Sequence, residues 1–169
     1  MTADEDQSCG DEDLRAPFEI YLFIVHPFVA PDVITAALEM RPSHVHAVGA
    51  RRATPRGQLL PGTYPDTRWR TKFTYDSHRI ERCLSEVLDQ LEQHSKFLLR
   101  IAAEGASAGV ILRFPGSMHY GFNLGVATLE RLVRMRINAG IEIFPDQVVD
   151  EDSWASEPPE WWRKKQSAR

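Results

Sequence analysis

TRWRTKFTY, residues 67–75, is two patterns laid over one another. In an extended chain Thr67, Trp69, Thr71, Phe73 and Tyr75 share one face, and Arg68, Arg70, Lys72 and Thr74 share the other. Successive strand side chains point to opposite sides, so this spacing predicts rings buried beneath and three cations displayed outside. Such a strand belongs to a sheet with one covered and one open face. FEIYLFIVH (18–26) extends the pattern, with Phe18, Ile20, Leu22 and Ile24 on one side. Its reverse side, Glu19, Tyr21, Phe23 and Val25, is also largely apolar, which predicts a central position in the sheet.

Outward from these strands the periods alternate. APDVITAALEM (30–40) predicts a helix opened by Pro31, with Val33, Ile34, Ala37 and Leu38 on one side. SHVHAVGAR (43–51) reads as a short strand, and ATPRGQLLPGTYPD (53–66) as a loop dense in Pro and Gly. Asp76 or Ser77 can cap one long helix whose apolar stripe is Ile80, Leu84, Val87, Leu88, Leu91, Leu98 and Leu99, and Gly105 is placed to end it. AGVILRF (108–114) is a further strand and PGSMHYGF (115–122) a loop. GVATLERLVRMRI (125–137) predicts a third helix with Leu129, Leu132 and Val133 inward, and GIEIF (140–144) a closing strand.

The order β-α-β-β-α-β-α-β predicts an α+β fold. Its first six elements match a split β-α-β (ferredoxin-like) antiparallel sheet with helices on one face, followed by an extra C-terminal helix and strand. Trp69 and Phe73 then point toward the helices with Ile20, Leu22, Val110, Leu112, Phe114, Ile141 and Ile143. The opposite face collects Tyr21, Phe23, Arg68, Arg70, Lys72, Ile111, Arg113 and Phe144.

At 169 residues, 43% of them hydrophobic, the chain suits one domain with a real core. That domain is expected over residues 17–146, between a disordered acidic tail (1–16) and a polar tail (147–169) carrying Trp154, Trp161 and Trp162. Tryptophans in a polar tail suggest a segment that folds back and docks. The longest apolar run, IYLFIVHPFVA (20–30), is broken by His26 and Pro27 and is too short to span a membrane. The first residues are acidic where a secretory leader is basic and then apolar, so a cytoplasmic location with no membrane partner is expected. Cys9 and Cys83 are expected as free thiols there.

The formal net charge of −4 conceals an uneven distribution. Residues 1–17 carry six acids and one base, whereas residues 41–72 carry seven bases against Asp66 alone. The folded part is therefore more basic than a pI of about 5.9 suggests.

Signatures of chemistry are scarce. There is no GxxxxGK[ST], no GxSxG and no GxGxxG after a strand, so no catalytic residue, cofactor or enzymatic activity is expected. His44 and His46 place two imidazoles on one strand face, but two ligands make an incomplete metal site, and no metal is expected. Glu19 and Glu142 read as outward strand residues, and Arg131, Arg134 and Arg136 as partners in local salt bridges.

The candidate binding residues are therefore Tyr21, Phe23, Arg68, Arg70, Lys72 and Arg113 on the open face, with Arg51, Arg52 and Arg56 in the loop. Three uses compete for them: a plain solvated face lying under the tryptophan tail, an interface for another protein or a second copy, and a surface for nucleic acid or another polyanion. Two acidic tails and the lack of a Gly-Phe-x-Phe run favour protein over nucleic acid.

APDVITAALEMRPSHVHAVGAR (30–51) resembles the opening of a bacterial family known as domain of unknown function 4279, where a Pro-Asp-x-Ile-Thr-x-x-Leu helix leads through a Pro-Thr turn to a strand. Pro31, Asp32, Ile34, Thr35 and Leu38 match it, Pro42-Ser43 stands for Pro-Thr, and Trp69 sits where that family begins a strand with Trp. LLRIAAEG, GVILRF and the Leu-rich helix before GIEIFPD keep the same order, so the resemblance covers about residues 18–146. It implies an α+β domain and carries no catalytic residues. The expected function is a small non-enzymatic binding or adaptor protein that regulates or neutralises a protein partner, an immunity-type role by analogy. A nucleic-acid module is the alternative.

Overall fold

The computed structural model describes residues 17–54, 56–116 and 121–144. β1 (Pro17–His26) occupies the middle of a five-stranded sheet ordered β2-β5-β1-β6-β7, with β2 at His44–His46, β5 at Thr67–Asp76, β6 at Ser107–Pro115 and β7 at Ile137–Phe144. β5 and β6 flank β1 antiparallel, and β2 pairs antiparallel with the outer side of β5.

Alternation sorts the side chains as the strand period requires. Phe18, Ile20, Leu22 and Ile24 are buried beneath the sheet with Val110, Leu112 and Phe114. Trp69 is 1% exposed, and its indole N–H donates to Thr35 Oγ1 (3.0 Å) on α1 (Pro31–Leu38). That hydroxyl in turn donates to the Pro31 carbonyl (3.0 Å), so the polar edge of the ring is satisfied inside the core. Burial fades along β5, and Phe73 and Tyr75 are only half-buried.

His26 does more than interrupt an apolar run. It is fully buried, and its Nδ1 accepts the N–H groups of Phe28 (3.2 Å) and Val29 (3.1 Å). With Nδ1 accepting, Nε2 is the donor to Glu104 (3.3 Å). The imidazole thereby fixes the turn from β1 toward α1.

The long helix expected after β5 is two helices, α2 (Ile80–Glu92) and α3 (Ser95–Ala103). The chain tightens at their junction, where the His94 N–H donates to the Leu91 carbonyl (3.0 Å). The apolar stripe shifts across it: Leu98 and Ile101 are buried, and Leu99 is exposed. On α1, likewise, Ile34 and Leu38 are buried and Val33 is exposed. Gly105 (φ +93°) ends α3 in a left-handed turn that satisfies the last carbonyls.

The sheet is mixed rather than wholly antiparallel. β6 and β7 are joined through α4 (Val126–Arg134), and a helical crossover returns the chain to run parallel to the strand it left. Glu81 of α2 accepts from the Gly125 N–H (2.7 Å) and Thr128 Oγ1 (3.1 Å), placing a carboxylate at the N-terminus of α4. Arg131 ties the same helices together through Ser85, Asp89 and Glu92. These clamps turn Thr128 and Leu132 inward and leave Leu129 and Val133 exposed. Ile141 and Ile143 share the helix side with Leu112 and Phe114 by register, yet they too are exposed on the outermost strand.

The Pro- and Gly-rich loop contains a hairpin, β3 (Arg51–Ala53) and β4 (Leu59–Thr63). Its residues are largely exposed, so no buried alternation marked it; Gly57 in its turn and Gly62 within β4 both take a positive φ. Cys83 is a buried free thiol whose pKa is raised chiefly by burial. Cys9, Trp154, Trp161 and Trp162 lie outside the described residues. Among those residues no helix is long and apolar enough to cross a membrane.

Candidate binding site on the open sheet face

Strand register arranges the open face in rows. His46, Arg68, Val25 and Ser107 form one row, and His44, Arg70, Phe23 and Gly109 the next. Lys72, Tyr21, Ile111 and Gly140 follow, then Thr74, Glu19, Arg113 and Glu142. All six face residues singled out in the sequence meet here, but they divide into two halves.

One half neutralises itself. Glu19 accepts from Lys72 Nζ at Oε1 (2.9 Å) and from Tyr21 Oη at Oε2 (2.7 Å), and Arg113 lies 3.7 Å from that same Oε2. Partial burial raises the Glu19 pKa, but the Lys72 and Tyr21 hydrogen bonds and the two cationic charges outweigh it and hold the carboxyl below its usual range. Lys72 is shifted up, first by its hydrogen bond to Glu19. Arg113 also donates to Tyr21 Oη (3.1 Å) and lies over the Phe144 ring at 3.8 Å.

The other half is open. A cavity of about 250 Å³ has Phe23, Val25 and Ile111 in its apolar floor and Arg68, Arg70, His44 and His46 around it. The floor depends on a glycine: a Cβ at Gly109 would stand 2.4 Å from the Phe23 ring, so only a bare backbone lets that ring lie across β6. Arg68 is held by Asp66 (2.9 Å). Arg70 is exposed and forms no ion pair among the described residues, its guanidinium resting 5.4 Å from the Tyr21 ring centre. His44 and His46 share a hydrogen bond between their Nε2 atoms (2.7 Å), and His46 stacks on Tyr64 (4.1 Å). Desolvation first, then the Arg70 charge, lowers the His44 pKa; desolvation, His44 and Arg68 lower that of His46.

Chemically, this half offers planar guanidinium donors above an apolar floor, a combination suited to a carboxylate or another oxyanion. The His-x-His pair, which the sequence offers as outward strand histidines or an incomplete metal site, is part of the wall, and no cluster of three or more His, Cys, Asp or Glu among the described residues could hold a metal. Tyr64 carried no signal in the sequence, because its place beside His46 depends on how the hairpin closes. Arg51, Arg52 and Arg56 sit on or beside the hairpin, exposed, and do not line the cavity.

The profile of the family called Domain of unknown function (DUF4279) matches residues 16–145. The chain belongs to this family. Neither the curated proteins nor the solved structures yielded a match. Every row of the open face falls within the DUF4279 match, so both halves belong to the family domain and not to an appended segment.

Proposed function

We propose that this DUF4279 chain is a non-enzymatic binding module of the cytoplasm that seats an acidic segment of a protein partner on the open half of its sheet and so regulates or neutralises that partner. One observation carries the reading: Arg70 stands beside an apolar cavity, next to a histidine pair and Arg68, with no carboxylate of the described residues answering its charge. A cation left unpaired above a half-apolar surface is what a carboxylate-bearing partner would complete. Nucleic acid is less favoured, because the guanidinium groups of Arg70 and Arg113 already lie over the Tyr21 ring on which a base would stack. The order β2-β5-β1-β6 of the antiparallel part supports a ferredoxin-like split βαβ unit to which α4 and β7 are added.

The test is fluorescence anisotropy at low salt with a labelled poly-glutamate peptide and a single-stranded oligonucleotide of equal charge. The peptide is expected to bind with an affinity that falls as salt rises, and Arg70→Glu to abolish it. Tighter binding of the oligonucleotide would transfer the site to the polyanion reading, and no peptide binding at low salt would end the proposal.

A further inference from the structure

The sheet edge opposite β2 carries an apolar surface that the described residues leave uncovered. On α4, Val126, Leu129 and Val133 are 72%, 44% and 74% exposed, and their spacing of three and four puts them in one stripe. On β7, Ile141 and Ile143 are 57% and 63% exposed. Because α4 connects two parallel strands it runs back against β7, so Val126 lies toward the strand end that carries these isoleucines. β7 is the last strand of its sheet among the described residues, and none of them sets a strand beside one row of its backbone N–H and C=O groups. INAGIEIF contains no Lys, Arg or Pro to blunt such an edge.

The charges at the rim say what fits. Glu130 and Arg134, one helical turn apart, line the groove of about 340 Å³ beside Val126, Leu129 and Val133. Glu130 forms no ion pair among the described residues, and Arg134, 70% exposed, pairs only at long range with Glu92 (3.8 Å) among them. An acidic partner would meet Glu130 and a basic one Arg134. A surface with one charge of each sign, one turn apart on a helix, is instead complementary to itself under a twofold rotation. That rotation sets Glu130 of one copy against Arg134 of the other, twice over, and stripe against stripe.

We propose that α4 and β7 form a twofold dimer interface between copies of this chain. α4 packs antiparallel on its counterpart, and the two β7 edges pair to continue each five-stranded sheet into the next. The cavity on the β2 side stays free, so the inference is independent of the function proposed above and makes the assembly bivalent.

Sedimentation equilibrium of the full chain over a wide concentration range tests it. The expected mass is twice 19.2 kDa, with Val133→Asp weakening association at least about tenfold. Glu130→Arg and Arg134→Glu should each dissociate the dimer, and the double variant E130R/R134E should restore it. That rescue separates a pairing from a folding defect, and circular dichroism melts check that each variant is folded. A monomer mass at every concentration, a dimer indifferent to Val133→Asp, or single charge variants that the double variant does not rescue would each overturn the proposal.

Discussion

The two halves of the open sheet face hold the same kinds of residue and behave differently. Around Glu19, two cations and a tyrosine hydroxyl converge on one carboxylate and leave little charge to offer. Two rows away, Arg70 has an aromatic ring beside it but no described acid, and its neighbours His44 and His46 bond to each other. Basic residues on a strand are thus not a binding surface by count. What matters is which of them the cross-strand register leaves without a counter-charge.

The strongest challenge to this contrast is Gly109→Val. A branched side chain there must displace the Phe23 ring, and overpacking of this kind costs about 1–3 kcal/mol, read as a lowered midpoint in chemical denaturation. The same variant should narrow the cavity and weaken peptide binding, whereas Gly140→Ala should be close to neutral, since its nearest side-chain neighbour is 3.5 Å away.

Next in size is the difference between two alanine variants. Arg70→Ala should weaken binding of the acidic peptide about tenfold, roughly the 1.4 kcal/mol of one charge-assisted contact, while Lys72→Ala changes it by less than about twofold. Equal losses would erase the distinction between the halves.

A smaller effect follows from the histidines. Both have folded-state pKa values below the usual 6.5, so they are neutral at pH 7 in the free protein. A bound anion favours their protonated forms, and affinity should rise several-fold as pH falls below 6.5 toward their lowered folded-state values, a slope that replacing both with Gln removes. The sign for stability is opposite: the unfolded chain takes up these protons first, so their contribution, complete above 6.5, is lost as pH falls below it through the lowered folded-state values. Titrations of binding and of thermal midpoint should therefore move in opposite directions.

Least of all, Glu19→Gln should change stability by about 0–1 kcal/mol, because its ion pairs are partly solvated. By releasing Lys72 and Arg113, it should nevertheless raise peptide affinity. An unchanged affinity would mean that these cations do not reach the bound ligand.

Much of this arrangement is legible in the residues alone. The alternation in 67–75 and 18–26 places Trp69, Ile20 and Leu22 inside and Arg68, Arg70 and Tyr21 outside, as found. Strand periodicity is a local property that each residue declares by its own polarity. The helices were less legible where burial depends on a neighbour. Leu129 and Val133 carry the same apolar signal as Leu132, and only the contacts that Glu81 and Arg131 make between α2 and α4 decide which of them faces inward.

Composition and period settle which side of each strand meets the core, because the hydrophobic effect acts on every side chain wherever its partners come from. Pairing is a different matter. That β7 joins β6 in parallel, that Glu19 disarms Lys72 and leaves Arg70 alone, and that His44 reaches His46 beside Tyr64 all depend on strands far apart in the chain being set side by side. Charge neutralisation acts over a few ångströms, so it is settled only when the fold has chosen the neighbours.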